Sequence, residues 1–333
     1  MASIKYSRSL FLPGPLPPMT HLGLTLERHC IISGLRYTLY HLGFPLPEKA
    51  PVKIFQLRLY LDAGRLAQRL DGTPGSKEIT GALIDPRGKL PISEQAGEVA
   101  AAALFHRLRL AAVVRRRPPK LAEPADGTTA WKLFRAGVSR WLDRLNDAFL
   151  TDTLVARSRR RRRAEKKPVS ATLPREAWRF RSGRNCRLDC LGPADLYAPS
   201  WSEDRACRDQ ARAMLEDEPL ANRDAHRGAF RETYRDMLSH LRPAYLALAE
   251  TAVKRDLIED PDDAFFMPFD LVGDLAGTER PSWLDEAVES NRNELDALQA
   301  TNGPDDQLET TPSIVVGGTT SPEQAWNCLL PIL

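Results

Sequence analysis

No run of about 18 apolar residues occurs anywhere in this chain of 333 residues, so no membrane-spanning helix is predicted. Cysteine is scarce. The five present are an odd number at irregular spacing, which predicts free thiols rather than a disulfide frame. Cys186 and Cys190 lie close together, but no second pair and no near histidine completes a zinc set. Histidine is sparse too, with six residues: His21, His29, His41, His106, His226 and His240. None lies in a recognisable nucleophile or metal motif, although His21 and His29 are spaced to share a helix face. Charge of one sign is also missing. Forty-seven Lys and Arg against 44 Asp and Glu leave a net charge of +3, which excludes a strongly polybasic or polyacidic chain. No phosphate loop is present. Gly72–Lys77 reads GTPGSK, with Ser76 before Lys77 and the wrong glycine spacing. Val315–Pro322 has a strand-then-glycine look, yet no lysine and no helix follow it. The N-terminal apolar stretch runs straight into Pro13, Pro15, Pro17 and Pro18, a poor signal peptide, so the expected location is cytoplasmic.

What the chain does have is helical periodicity. After the Pro-rich opening at residues 10–20, Leu22, Leu26, Ile31, Leu35, Leu39 and Leu42 recur at roughly helical spacing, and Gly43, Pro45 and Pro47 end the pattern. Residues 51–70 are amphipathic and compatible with strand or helix. The glycines and prolines of residues 71–91 read as loop, and Glu94–Val114 as an Ala-rich helix. Ala130–Leu150 is the clearest helix, with Trp131, Phe134, Val138, Trp141, Leu142, Leu145 and Phe149 at steps of three and four. A second spans about 228–256, with Pro243 expected to kink or divide it. A third runs from Ser282, a good N-cap, to Ala300. Strand candidates are few: Phe265–Phe269 and Ser313–Val316. The predicted fold is mainly α, an irregular multi-helix arrangement with a Pro-rich N-terminal segment and few short strands. Its expected divisions are a helical half at 1–156, a basic linker at 157–175, a second helical half at 176–303 and a tail at 304–333.

Charge is unevenly placed. Arg157–Lys167 holds eight basic residues and one acid, whereas 259–309 holds fifteen acids against Arg280 and Arg292. One block can pair with the other, or each can face solvent. Arg159, Arg160, Arg161, Arg162 and Arg163 are candidates for an anion site, taking nucleic acid or a phosphorylated ligand with steep salt dependence. The competing reading is a solvated Arg-rich linker, because no stacking aromatics interrupt the run. The acid pairs Asp262–Asp263 and Glu203–Asp204 could serve acid–base chemistry or Mg²⁺, but such pairs are commonplace on a soluble surface and a solvated or helix-capping role is the expectation.

Four segments, taken in order, resemble one family. Pro13-Gly14-Pro15-Leu16-Pro17-Pro18-Met19-Thr20 resembles a Pro-Gly-Pro-x-Thr-Pro-Leu-Thr motif, with Pro17 and Met19 substituted. Asp195-Leu196, then Pro199, Trp201, Glu203 and Asp204, keep the spacing of Gly-Glu-x-Asp-Leu-x-x-Pro-Arg-Trp-x-Glu-Asp; Pro193 and Ser200 replace the Glu and Arg. Asp262–Leu271 is similar to Asp-Asp-x-Phe-x-Leu-Thr-x-Asp-Glu-Leu, one residue shorter near its end. Gly318-Thr319-Thr320-Ser321-Pro322 looks like the Gly-x-x-Ser-Pro-Gly that opens a swivelling phosphohistidine domain. Together they resemble the central region of the phosphoenolpyruvate-utilising dikinase-like phosphotransferases, among them phosphoenolpyruvate synthase and rifampicin phosphotransferase.

The resemblance implies a mainly helical domain that holds a small-molecule acceptor, with Thr20, Asp195, Trp201 and Glu203 as the candidate binding positions. It also implies partners, since the family needs an ATP-grasp domain and a phosphorylatable histidine. No histidine follows His240, and no nucleotide domain fits before Pro13. The expectation is therefore an incomplete phosphotransferase module with no catalytic residue and no cofactor of its own. ATP and Mg²⁺ are expected only with the missing modules, supplied by separate ATP-grasp and phosphohistidine chains if this is a functional stand-alone protein and lost if it is a truncated or decayed gene product. The alternative is a non-enzymatic protein that binds an anionic partner such as nucleic acid through Arg157–Lys167. No metal site and no membrane partner are expected.

Overall fold

The computed structural model describes residues 6–7, 18–47, 50–84, 127–164, 195–198, 229–299 and 307–308. The architecture is mainly α, and none of the described helices is long and apolar enough to cross a membrane. Helix α1 spans His21–His41. Thr20 is its N-cap, and its side chain accepts from the Gly23 N–H. The helix stops at Gly43, whose φ of 75° is the left-handed conformation that glycine adopts without strain. There the Phe44 N–H reaches the Leu39 carbonyl and the Gly43 N–H the Tyr40 carbonyl, while buried Leu39 and Phe44 close the turn.

Residues 51–70 split between the two structures their pattern allows. Strands β2 (Val52–Phe55) and β3 (Arg58–Asp62) form an antiparallel hairpin, and helix α2 (Ala63–Leu70) follows directly, with Asp62 as its N-cap. The short strands β1 (Tyr6–Ser7) and β4 (Gln307–Leu308) complete a sheet of order β2-β3-β1-β4. The hairpin turn is Gln56-Leu57, and both residues have positive φ, 49° and 52°. A turn of this type normally carries Asn and Gly. Leu57 is held in it by burial and by the Met19 N–H on its carbonyl. Gln56 gains less, because its buried side-chain oxygen has no hydrogen-bond partner among the described residues. Gln56→Asn is expected to stabilise the fold by about 0.5–1 kcal/mol, and so to raise Tm by about 2 °C in a thermal melt.

Residues 76–84 correct the loop reading. Ser76–Ile84 is helix α3, because Ile79, Ala82 and Leu83 share a buried face, with Gly72, Pro74 and Gly75 in the turn before it and Gly81 taken into the helix. Helix α4 spans Gly127–Ala164 and runs well past Leu150. Phe134, Trp141 and Phe149 on its inner face are buried, and the face continues through Val155 and Ala156. Thr151 and Thr153 return their hydroxyls to the carbonyls four residues back, so they do not interrupt it. Helix α5 (Ala229–Lys254) contains Pro243 and is one element rather than two. Leu241, Ala244, Tyr245 and Leu248 are buried on both sides of the proline, and this packing carries the helix through it. Its N-terminus is capped from α4: the Asp152 carboxylate accepts the Ala229 and Phe230 N–H groups, both at 2.9 Å.

Phe265–Phe269 is not a strand. Two 3₁₀ helices, Pro261–Phe266 and Phe269–Ala276, occupy this region. Pro261 supplies a helical φ at the start. Asp260 accepts from the Asp262 N–H while Asp263 accepts from the Asp260 N–H, a reciprocal cap that overrides the short apolar run. Helix α6, Leu284–Gln299, closes the described chain's helical part. Glu94–Val114 and Ser313–Val316 lie outside the described residues. One buried cluster draws on residues from Met19 to Leu295, with α1, α4 and α5 at its centre.

Candidate functional site

The site forms where α1 begins. Thr20 and Asp195, 175 residues apart, meet through two hydrogen bonds. The Thr20 N–H donates to one Asp195 carboxylate oxygen at 2.6 Å, and the Thr20 hydroxyl donates to the other at 2.8 Å. The Tyr197 N–H adds a third donor at 3.1 Å. The short segment 195–198 is thereby strapped across the helix start. A carboxylate at a helix N-terminus also gains from the helix dipole. Gly23 makes the approach possible: a Cβ there would lie 2.7 Å from the Asp195 carboxylate carbon.

Helix α5 holds the other side of the strap. The Arg242 guanidinium donates to the Leu196 carbonyl and, at 3.3 Å, to the Tyr197 carbonyl, and it sits over the Phe265 ring. Tyr197 rests edge-on against Phe265, and its ring is also close to that of Phe266. The Tyr234 hydroxyl lies 3.5 Å from the Gly23 carbonyl, and the Tyr245 hydroxyl donates to the Ala264 carbonyl at 2.6 Å. The Phe269 N–H donates to the Thr25 hydroxyl oxygen at 2.8 Å, which ties the second 3₁₀ helix to α1.

Burial sets the electrostatics. It pushes the Asp195 carboxyl above its ordinary value, against the hydrogen bonds from Tyr197 and Thr20 and the Arg242 charge, which act to lower it. Burial likewise pushes both tyrosine hydroxyls well up. The acids Glu27 and Asp195, with Cys30, add to the effect at Tyr234, and Asp195 adds to it at Tyr245. The phenols stay protonated and serve as donors. Among the described residues, every group bonded to the Asp195 carboxylate is a donor, so it is a satisfied acceptor rather than a cation ligand. Among the same residues no group of three or more His, Cys, Asp or Glu is placed to hold a metal ion.

The other sequence candidates fall elsewhere. Trp201 and Glu203, the remaining motif positions, lie outside the described residues. So do Asp204, the other member of that acid pair, and the cysteines Cys186, Cys190 and Cys207. Arg159–Arg163 fall on the last turns of the α4 backbone, where the sequence reading places a linker, and their side chains are outside the described set. Arg157, which opens the basic block, is paired: its Nε lies 2.7 Å from Glu78 on α3, with each side chain only 13% exposed. Asp263 caps its 3₁₀ helix and takes Arg292 at 2.6 Å, a structural use of the Asp262–Asp263 pair. His21 is buried with its Nε2 3.4 Å from Glu294, while His29 is exposed beside Phe269.

Sequence reasoning missed Gly23, Arg242, Tyr234 and Tyr245. Gly23 carried a signal, a glycine three residues after a capping threonine inside an apolar helix pattern. Tyr234 and Tyr245 stand at helical spacing among the buried apolar residues of α5, and nothing in the sequence marks them or Arg242 out. No family model, no curated protein and no solved structure matches this chain.

Proposed function

We propose that this chain is an acceptor-binding module of a dikinase-like phosphotransferase, one that transfers phosphate only together with the ATP-grasp and phosphohistidine domains of that family. One observation carries the reading. Three segments that resemble successive motifs of that family meet at the start of α1: Thr20 from the first, Asp195 from the second, and Phe265, Phe266 and Phe269 from the third. Their likeness is read from separate stretches of sequence, and their convergence supports the reading. Of the rings gathered there, Tyr197 is exposed and offers an aromatic surface to a small organic molecule.

The test has two parts. The purified chain is incubated with ATP, Mg²⁺ and a panel of hydroxylated small molecules, rifampicin included, while AMP and phosphate release are followed. No turnover is expected, and clear turnover overturns the non-catalytic reading. The same panel is screened by thermal shift. At least one compound is expected to raise Tm, since a ligand at a concentration of about 100 times its Kd stabilises by ~2.7 kcal/mol. Asp195→Asn is expected to weaken that shift. A panel with no binder, or binding indifferent to Asp195→Asn, sinks the proposed site.

A further inference from the structure

We draw no further inference here: the strongest candidate, the cluster of Trp141, Arg144, Asp236 and His240 between α4 and α5, sets the buried Trp141 ring against His240 and Arg144 with Asp236 beside His240, and nothing in the structure shows what ligand it would take.

Discussion

Gly23→Ala is expected to destabilise the protein by about 2 kcal/mol in urea unfolding at neutral pH. Two effects oppose each other. Alanine is the better helix former, by about 1 kcal/mol. Against that, the new methyl would stand 2.7–2.8 Å from three atoms of the Asp195 carboxylate, closer than real Cβ contacts come. The carboxylate must move, and the Thr20 N–H, the Thr20 hydroxyl and the Tyr197 N–H then lose their acceptor. Overpacking and the stranded donors together outweigh the helical gain. A double-variant cycle checks the cause. Once Asp195→Ala has removed the carboxylate, adding Gly23→Ala is expected to have no further destabilising effect. Equal losses from Gly23→Ala in both backgrounds would show that the clash lies elsewhere.

The same carboxyl has a pH signature. Burial holds its folded value above the ordinary aspartate range, so the folded chain binds this proton more tightly than the unfolded chain. Its contribution to stability is present at low pH and is lost as pH rises through the folded value. The stability of Asp195→Asn relative to the parent is therefore expected to improve as pH rises from about 4 to about 7. The opposite trend in paired melts would mean that the hydrogen bonds and Arg242 outweigh burial.

Phe134→Ala is expected to have the larger effect, a loss of about 4 kcal/mol. Phe134 is fully buried, and its ring centroid lies 5.0 Å from that of Tyr245 and 6.1 Å from those of Trp131 and Phe269. It joins α4, α5 and the second 3₁₀ helix, so the void would open among three elements that cannot all close on it. Leu142→Ala, on the same helix but only partly buried, is the control and is expected to cost about 1 kcal/mol. A loss at Phe134→Ala no larger than the control's would show that the ring cluster relaxes freely.

The helices were legible where one face carries apolar residues at steps of three and four. In α1, α4 and α5 that spacing marks the buried stripe directly, and Gly43 marks the end of α1. Legibility failed where local chemistry competed with pattern. The apolar run Phe265–Phe269 has the composition of a strand, yet Pro261 and the Asp260–Asp263 cap wind it into 3₁₀ turns. Gly72, Pro74 and Gly75 hid α3, because punctuation before a helix reads the same as punctuation inside a loop. At the candidate site, Thr20 and Asp195 were each named from sequence, but nothing in either stretch indicates that they touch.

By itself the sequence determined the mainly helical character, the faces that turn inward and the scarcity of strand, because these follow from spacing along one chain. Only the tertiary structure decided that Asp195 rests on Gly23 and bonds Thr20, that Arg157 pairs with Glu78, and that Arg242 holds the strap. Such contacts join residues tens to hundreds of positions apart. They depend on how the helices pack around the core, and helical periodicity carries no record of that.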